Sequence, residues 1–364
     1  MEKKKVGILT FHRAYNYGAM LQCYALYKTI ENIGHLPQIV DYRQSYIEKQ
    51  YAYSNNITTK EELKKVFLNP RWLPGFIVKI LPERIRYIRR RWSLYQGFSF
   101  SKKVLSPEQM PQGLNTIIIG SDQVWANYCT NGIDETYYGN FPHVNTNIIG
   151  YAISSNLASL QETGMEKLTI LCKNFKALSF REEEIGKYLS KEINIEATIV
   201  LDPTLLLRKS EWMRLIDDMP EVINQDYILT FFLNYDFDLT DVTKEIKKFS
   251  ADRNCKVINL PDVVDSPTNF LNLIKNAKQI ITSSFHTIVF SIIFNKDFYA
   301  IKTNNGKDIR YINLLNKLGL QKRLIEYGEL TNTIETTIDY EKVETKLEKE
   351  RSLSINYIRN NIQL

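Results

Sequence analysis

The chain has 364 residues, of which 44% are apolar and 24% charged, and its formal net charge is +6. These values are typical of a soluble globular protein with room for two domains, and the charge excess is too mild to indicate nucleic acid as a partner. No apolar run approaches the roughly 20 residues of a membrane helix, and the apolar stretch from Val6 to Phe11 is too short for a signal peptide. The four cysteines form no C-x-x-C pair, so disulfides and a structural zinc site are not expected. A reducing cytoplasm fits this composition.

The first part of the chain alternates strands and helices. Lys5 to Thr10 predicts a strand, Ala19 to Ile33 a helix that stops at Gly34, and Gln38 to Tyr42 a second strand. A strand–helix–strand unit of this kind implies a parallel sheet. Two further strands continue the pattern, Asn115 to Ile119 and Asn147 to Ile153.

Residues 45–112 interrupt this alternation. The segment is rich in aromatic residues, and it carries a run of five arginines without an intervening acid, namely Arg84, Arg86, Arg89, Arg90 and Arg91. We predict a helical insertion with a basic face. A solvated surface is the usual explanation for such a face, and contact with anionic lipid is the alternative.

From Lys176 the alternation restarts, which predicts a domain boundary at residues 175/176. Strands are predicted at Ala177 to Phe180, Thr198 to Leu201, Tyr227 to Leu233, Lys256 to Leu260, Gln279 to Thr282 and Phe298 to Lys302. Helices are predicted near 238–252, 268–276, 285–295 and 308–318, the last of them ended by Gly319. The predicted fold class is α/β, with two Rossmann-like doubly wound domains at residues 1–175 and 176–335 and a cleft between them. Residues 340–364 predict a charged terminal helix that packs back across the boundary.

Ligands of doubly wound sheets bind at the carboxyl ends of strands, which selects the loops that follow the predicted strands. Asn16 and Gly18 suit a tight turn at a helix start, without the spacing of a phosphate-binding loop or a dinucleotide signature. Ser121, Asp122 and Gln123 follow an apolar strand, where Asp122 is either a base, a ligand for a sugar hydroxyl, or a cap of the next turn. Both loops are candidate substrate contacts.

The strongest local signal lies in residues 280–295. An apolar stripe at helical spacing begins at Phe285, and Ser283 and Ser284 precede it, with Ser284 at the N-cap. His286 then falls in the first turn, where free N–H groups and the helix dipole favour an anion and where we expect the ring to be exposed. The segment therefore predicts a phosphate or carboxylate site with a titratable group, and capping with pocket filling is the structural alternative.

Two further residues follow strand ends. Arg181 opens a helix, where a cation opposes the dipole, so we expect either Glu184 or a bound anion to pair with it. Asp202 precedes Pro203, which predicts a structural turn at a strand exit.

Five segments in this order resemble the polysaccharide pyruvyl transferase family over roughly residues 5–320. They are Lys5 to Leu26, Ile117 to Trp125, Ser179 to Glu183, Val200 to Thr204 and Ile281 to His286. The resemblance implies a GT-B-like architecture with an N-terminal acceptor side and a C-terminal donor side. It implies transfer of a pyruvyl group from phosphoenolpyruvate to two hydroxyls of a sugar, as a ketal, during synthesis of capsular or exopolysaccharide.

The resemblance also carries roles to single positions. Arg181 matches the family's arginine after a strand, and His286 matches its histidine. The chain departs from the pattern at Ser284, where many members have Arg, and at Ala19, where many have an acid. The first departure removes one expected donor contact, and the second leaves the acceptor-side base unassigned.

The chemistry of these residues and the family resemblance lead to the same reaction scheme. Ser283 and Ser284 at the helix start bind one anionic group of phosphoenolpyruvate and Arg181 the other, while His286 protonates the enol carbon or stabilises the phosphate. Asn16 and Asp122 orient hydroxyls of a sugar or lipid-linked oligosaccharide. The scheme needs no cofactor and no metal, and it places the protein in the cytoplasm with peripheral contact at the inner membrane surface allowed.

Three alternatives stay open at this point. The same fold serves a GT-B glycosyltransferase that uses a nucleotide sugar. Loss of the usual Arg and acid fits a non-catalytic glycan-binding member of the family. A third alternative is a membrane-surface protein that acts through the arginine-rich face.

Overall fold

The computed structural model describes residues 2–14, 16–44, 46–47, 90, 92–142, 145–221, 223–232, 239–303, 308–326, 328–330 and 337–363, with only the backbone of 239–241. The predicted insertion at 45–112 falls largely outside these residues, as do Arg84, Arg86, Arg89 and Arg91, so its helical character and basic face stay predictions.

Six parallel strands form the first sheet in the order β2-β1-β3-β4-β5-β6. Their bounds are β1 Lys5–Leu9, β2 Leu36–Ile39, β3 Thr116–Gly120, β4 Asn147–Ile153, β5 Ala177–Phe180 and β6 Ala197–Ile199. Every residue of β3 is buried, as expected for a parallel strand covered by helices on both faces. The predicted bounds of β4 and β5 agree with the structure residue by residue.

The sheet membership of β5 and β6 corrects the predicted domain boundary. Ala177 of β5 pairs with Ile149 of β4, and β6 pairs with β5 in turn. The second sheet begins only at Tyr227, so residues 175/176 lie inside the first sheet. The restart of alternation at Lys176 is real, but alternation alone does not tell which sheet a new strand joins.

Helices connect the strands of this first unit. They are α1 Tyr17–Asn32, α2 Asn127–Thr130, α3 Leu157–Thr163, α4 Met165–Cys172, α5 Glu183–Ile193 and α6 Lys209–Met213. Asn16 begins α1 by accepting hydrogen bonds from the N–H groups of Gly18 and Ala19 at 2.9 and 3.3 Å, which satisfies two of the helix's otherwise unpaired donors.

Five parallel strands form the second sheet in the order β11-β10-β9-β7-β8. Their bounds are β7 Tyr227–Phe231, β8 Lys256–Asn259, β9 Gln279–Thr282, β10 Asp297–Ile301 and β11 Leu324–Ile325. The helices are α7 Leu239–Ala251, α8 Leu260–Val263, α9 Pro267–Asn276, α10 Phe285–Ile293 and α11 Ile309–Leu318. Gly319 ends α11 with a φ of 78°, as predicted. Two parallel sheets with connecting helices confirm the predicted α/β fold class with two Rossmann-like domains.

The terminal helix α12, Tyr340–Gln363, packs across both sheets. At its start the Tyr340 hydroxyl donates to the carbonyl of Lys296 beside β10. Further along, the Ser354 hydroxyl accepts from the N–H of Leu201 at 2.9 Å, and the Tyr357 hydroxyl donates to the carbonyl of Gly150 at 3.0 Å. Among the described residues, no helix has both the length and the apolar character needed to cross a membrane.

One cluster of buried apolar residues joins the two domains between α1, α9 and α10. The ring of Tyr17 stacks on Phe270 with centroids 5.9 Å apart, and Trp212 meets Phe290 edge to face at 4.9 Å. This packing brings the first turn of α1 against the first turn of α10. The candidate site lies at that junction.

Candidate active site

The carboxyl ends of β3 and β4 have a sharply bent backbone. Gly120 has a φ of 129°, and a Cβ there would lie 2.4 Å from the carbonyl oxygen of Tyr151. Ser121 and Ala152 adopt left-handed φ values of 51° and 48°, and the pairing of β4 with β5 shifts register between Gly150 and Ile153. Such non-glycine conformations cost about 1–3 kcal/mol each and cluster at functional sites. The bend marks the edge of the sheet at which Ser121 and Asp122 lie.

Arg181 follows β5 and is held by three protein groups. It donates to Glu182 from Nε at 3.0 Å, to Asp202 at 2.8 Å and to the Ser154 hydroxyl at 2.8 Å. The predicted partner Glu184 is instead exposed, because the carboxylate that turns back onto the guanidinium is its neighbour Glu182. Burial by itself lowers the pKa of Arg181, but Glu182 and Asp202 more than offset it and hold the pKa above its usual value.

The guanidinium of Arg181 also links the two domains. Its Cζ lies 4.6 Å from the centroid of the Phe285 ring, the first residue of α10. This is a cation–π distance, and in a water-poor setting such contacts contribute about 2 kcal/mol. Arg181 therefore orients groups from both sides of the junction.

Asp202 caps a turn, as predicted, and in addition lies beside His286. Its Oδ1 accepts from the N–H and hydroxyl of Thr204 at 3.0 and 2.6 Å, while its Oδ2 accepts from Arg181 and lies 3.8 Å from Nε2 of His286. Burial alone raises the pKa of Asp202, but His286, Arg181 and the two Thr204 bonds lower it below its usual value. The carboxyl group is therefore ionised at neutral pH.

His286 is the second residue of α10, and the expectation that it is exposed is wrong. Its side chain is only 14% exposed, because the first turn of α1 covers it. A Cβ on Gly18 would lie 2.0 Å from Nδ1 of the imidazole, so only glycine fits that position. The buried Nε2 has no hydrogen-bond partner among the described residues. Burial lowers the pKa of His286 to about 4, against an opposing effect of Asp202.

Ser283 and Ser284 lie between β9 and α10. Ser284 occupies the predicted N-cap position, but its side chain makes no capping hydrogen bond to the described first turn of α10. Its N–H donates to the Thr282 hydroxyl at 3.0 Å, and the N–H of Ser283 donates to the carbonyl of Phe231 at 3.2 Å. The start of α10 thus keeps its positive dipole end without a side-chain cap.

Asp122 belongs to the same charged group. Its Oδ1 accepts from the N–H of Gln123 at 2.8 Å. Burial raises its pKa, against the lowering effect of Arg181 and Arg310. The Ser121 hydroxyl is buried and has no partner among the described residues. The structure therefore brings Ser121 and Asp122 to the junction, while the amide oxygen of Gln123 lies 3.8 Å from Sγ of Cys129.

Three residues of the site were missed by sequence reasoning. The Ser154 hydroxyl donates to Glu182 at 2.8 Å, and the other carboxylate oxygen of Glu182 is buried without a described partner. Arg310, in the first turn of α11, lowers the pKa of both His286 and Asp122 by its charge. Ser154 directly follows a predicted strand, so the strand-end rule could have selected it. Glu182 and Arg310 had no signal in the sequence beyond being charged residues near the starts of helices.

The described residues contain no group of three or more His, Cys, Asp or Glu side chains arranged to hold a metal ion. The family model described as "Polysaccharide pyruvyl transferase" matches residues 16–305. This range covers most of the chain and every residue of the site apart from Arg310. The chain belongs to the polysaccharide pyruvyl transferase family.

Comparisons with individual proteins show less than the family model does. No match is found among curated proteins. Among solved structures, UGT89C1 of Arabidopsis thaliana complexed with UDP-L-rhamnose is similar at 10% identity, with 100% of each chain covered and a TM-score of 0.49. UDP-GlcNAc 2-epimerase of Neisseria meningitidis bound to UDP-GlcNAc is similar at 8% identity, covering 99% of this chain and 93% of that chain, with a TM-score of 0.45.

Proposed function

We propose that this family member transfers a pyruvyl group from phosphoenolpyruvate to two hydroxyls of a sugar, forming a ketal in a precursor of a surface or capsular polysaccharide. The observation that carries the proposal is the buried Nε2 of His286. It has no partner among the described residues and lies 3.8 Å from Oδ2 of Asp202 where two domains meet. An unpaired buried nitrogen of this kind is costly unless a ligand uses it.

The reaction requires a proton on C3 of the enolpyruvyl group. One sugar oxygen bonds to C2, phosphate leaves, and the second oxygen closes the ketal. The two hydroxyl protons end on C3 and on the departing phosphate. With a pKa of about 4, His286 is neutral in the free protein. A phosphate group bound next to His286 raises the pKa of the imidazole. The ring is then protonated in the complex with phosphoenolpyruvate, where the acid is needed.

The donor carries two anionic groups that need positive partners. The start of α10 offers the positive end of a helix dipole, and the Ser284 side chain makes no capping hydrogen bond to the described first turn. Glu182 and Asp202 offset the charge of Arg181, so Arg181 mainly holds Asp202 and Phe285 in place around the donor. Arg310 adds positive charge within electrostatic reach of His286.

The acceptor binds on the first-domain side of the junction. The raised pKa of Asp122 suits a group that accepts a proton from a sugar hydroxyl. The Ser121 hydroxyl, which has no partner among the described residues, and the amide of Gln123 lie beside Asp122 and orient the sugar. Asn16 shapes the entrance by capping α1, and Gly18 leaves room for the ring of His286 against the first turn of that helix.

Phosphoenolpyruvate is a cytoplasmic metabolite, so we assign the reaction to the cytoplasm. A lipid-linked acceptor lies at the inner membrane surface, so the protein would contact that surface peripherally. The scheme uses no cofactor and no metal.

The test is incubation with phosphoenolpyruvate and a set of nitrophenyl and lipid-linked sugars, followed by phosphate release and by mass spectrometry of the sugar. We expect a pyruvylated product, and His286→Gln lowers turnover about 10²–10⁴-fold. His35→Gln is the matched control, since His35 accepts from the N–H of Lys4 at the opposite end of β1. Wild-type turnover in His286→Gln, or no phosphoenolpyruvate binding to the wild type, would overturn the proposal.

A further inference from the structure

The carboxylate of Asp202 lies close to His286 without being hydrogen-bonded to it. The distance from Oδ2 of Asp202 to Nε2 of His286 is 3.8 Å, which is longer than a hydrogen bond but short enough for two charges to interact strongly. The side chain of Asp202 is fully buried and that of His286 is only 14% exposed, so salt and water screen the interaction little. The carboxylate therefore acts on the imidazole through its charge and leaves Nε2 to a ligand.

Three hydrogen bonds hold the carboxylate in this position. Oδ1 accepts from the N–H and the hydroxyl of Thr204 at 3.0 and 2.6 Å, and Oδ2 accepts from Arg181 at 2.8 Å. Burial alone raises the pKa of Asp202, but His286, Arg181 and Thr204 hold it below its usual value. Because these bonds favour the ionised carboxyl group, Asp202 is a poor acceptor for a proton of His286.

The turn that carries Asp202 is fixed to the helix that carries His286, although the two belong to different domains. The carbonyl of Thr204 accepts from Nε1 of Trp212 at 3.1 Å. Trp212 in turn meets Phe290 of α10 edge to face at 4.9 Å, and both rings are fully buried. Close-packed interiors resist small displacements. The separation of Asp202 and His286 is therefore set by the core around them and not by a direct bond.

The other charges that act on His286 are positive. Burial has the largest effect and lowers the pKa of the imidazole, and Arg181 and Arg310 lower it further. Gly18 of α1, which lies against the ring, carries no charge. Among the described residues that act on this pKa, Asp202 is the one that raises it. Without Asp202, the protonated ring would be surrounded by positive charge alone.

We propose that Asp202 is a positioning residue for pyruvyl transfer, an immobile anion that stabilises the imidazolium of His286 in the donor complex without taking its proton. The part of Asp202 in turnover rests on the proposed function, whereas its electrostatic effect on His286 does not. The phosphate of the donor supplies a second negative charge beside the ring. The proton then stays available for C3 of the enolpyruvyl group, and the ring returns to its neutral form once that proton has moved.

The first test compares Asp202→Asn with Glu182→Gln, since each removes one negative charge that pairs with Arg181. An NMR pH titration of the full chain follows the ring of His286, whose signal is assigned with His286→Gln. The wild-type ring takes up its proton near pH 4, and in Asp202→Asn the titration should move about one pH unit lower or more. Glu182→Gln should titrate as the wild type does, because Glu182 is not among the charges that act on His286. Both variants weaken a buried ion pair, so a loss of stability alone does not separate them.

The second test measures steady-state kinetics with phosphoenolpyruvate. In Asp202→Asn, kcat should fall about tenfold or more at neutral pH, since a pKa that is lower by about one decreases the protonated fraction about tenfold. The alkaline limb of the pH profile of kcat should move to lower pH for the same reason. KM should change less than kcat, because Asp202 does not contact the donor in this scheme.

Two results would overturn the role of Asp202. One is a His286 titration that is unchanged in Asp202→Asn, or that moves equally far in Glu182→Gln. The other is a wild-type pH profile of kcat in a folded Asp202→Asn protein. If Asp202→Asn does not fold, Thr204→Val decides instead. It removes the hydroxyl that holds Oδ1, so the carboxylate can approach Nε2 and the pKa of His286 should rise; an unchanged titration would then overturn the role. A wild type that titrates as expected but does not turn over phosphoenolpyruvate would count against pyruvyl transfer and leave the electrostatic effect of Asp202 standing.

Discussion

Gly18 and His286 belong to different domains and touch at the first turns of α1 and α10. A Cβ on Gly18 would lie 2.0 Å from Nδ1, 2.4 Å from Cγ and 2.7 Å from Cε1 of the imidazole. These distances are too short for atoms that are not bonded to each other, so any side chain at position 18 must displace the His286 ring or separate the domains. The position of the histidine is thus set by a residue that has no side chain.

Gly18→Ala should therefore impair turnover without preventing folding. Alanine favours a helix over glycine by about 0.5–1 kcal/mol, while a displaced catalytic ring costs about 10²-fold in rate. Turnover and melting temperature are the measurements. Gly186→Ala in α5 is the matched control, since a Cβ there meets Cδ1 of Ile199, the end of a flexible side chain, at 2.7 Å. Wild-type turnover in Gly18→Ala would show that the contact is irrelevant to the reaction.

The pKa of about 4 for His286 predicts a pH dependence of stability. The folded-state pKa lies below the unfolded value of 6.5, so the unfolded chain binds the proton first and stability falls as the pH drops from about 6.5 to about 4. This linkage amounts to about 2 kcal/mol at pH 5. Urea unfolding at pH 7.5 and 5 should show that His286→Gln loses less stability than the wild type. Equal losses would contradict the buried, neutral histidine.

Arg181 is expected to matter for folding as much as for any ligand. Arg181→Met leaves Glu182 and Asp202 buried without their cation, and removing one partner of a buried pair costs about 3–5 kcal/mol. Denaturant unfolding measures this cost. Lys187→Met removes the exposed Lys187–Glu183 pair of α5 and should change stability by less than about 1 kcal/mol. A loss of similar size in the two variants would argue against a buried network.

Arg310 is expected to act on the donor side. Arg310→Gln should raise the KM for phosphoenolpyruvate about tenfold, the loss of one charged contact. It should also raise the pKa of His286, because the charge of Arg310 lowers it. Steady-state kinetics and an NMR titration of the histidine test both effects. Lys317→Gln on the same helix, whose lysine pairs with Glu350 at 2.8 Å, should change neither. A KM and a histidine titration that both stay unchanged would remove Arg310 from the site.

Local sequence patterns predicted the bounds of several strands well. They did not predict which residues distant in sequence contact each other. The bounds of β4, β5 and β9 follow from apolar runs and agree with the structure, as does the N-cap position of Ser284. Those features depend on neighbours in sequence. The burial of His286 depends on Gly18, which is far away in sequence, and no periodicity near His286 reports that contact.

Asp202 and Arg181 illustrate the same limit for charges. Asp202 before Pro203 was predicted as a turn, and it is one. Its second role arises because β6 lies next to β5 in the sheet, which aligns Asp202 with Arg181. Sheet order was not deduced from the sequence, so neither this pairing nor the inclusion of β5 and β6 in the first sheet could be predicted.

The terminal helix α12 can pack against the first sheet only after that sheet has been synthesised. The Nζ of Lys4 donates to the carbonyl of Ile362 at 2.9 Å, a contact between residues 358 positions apart. Domains generally begin to fold in the order in which the ribosome releases them, so the first sheet forms while α12 is still being translated. Tyr151, which is fully buried and lies 6.2 Å from the ring of Tyr357, stays uncovered during that interval. The nascent first domain therefore presents an apolar face to chaperones until α12 has been synthesised and has packed across both sheets.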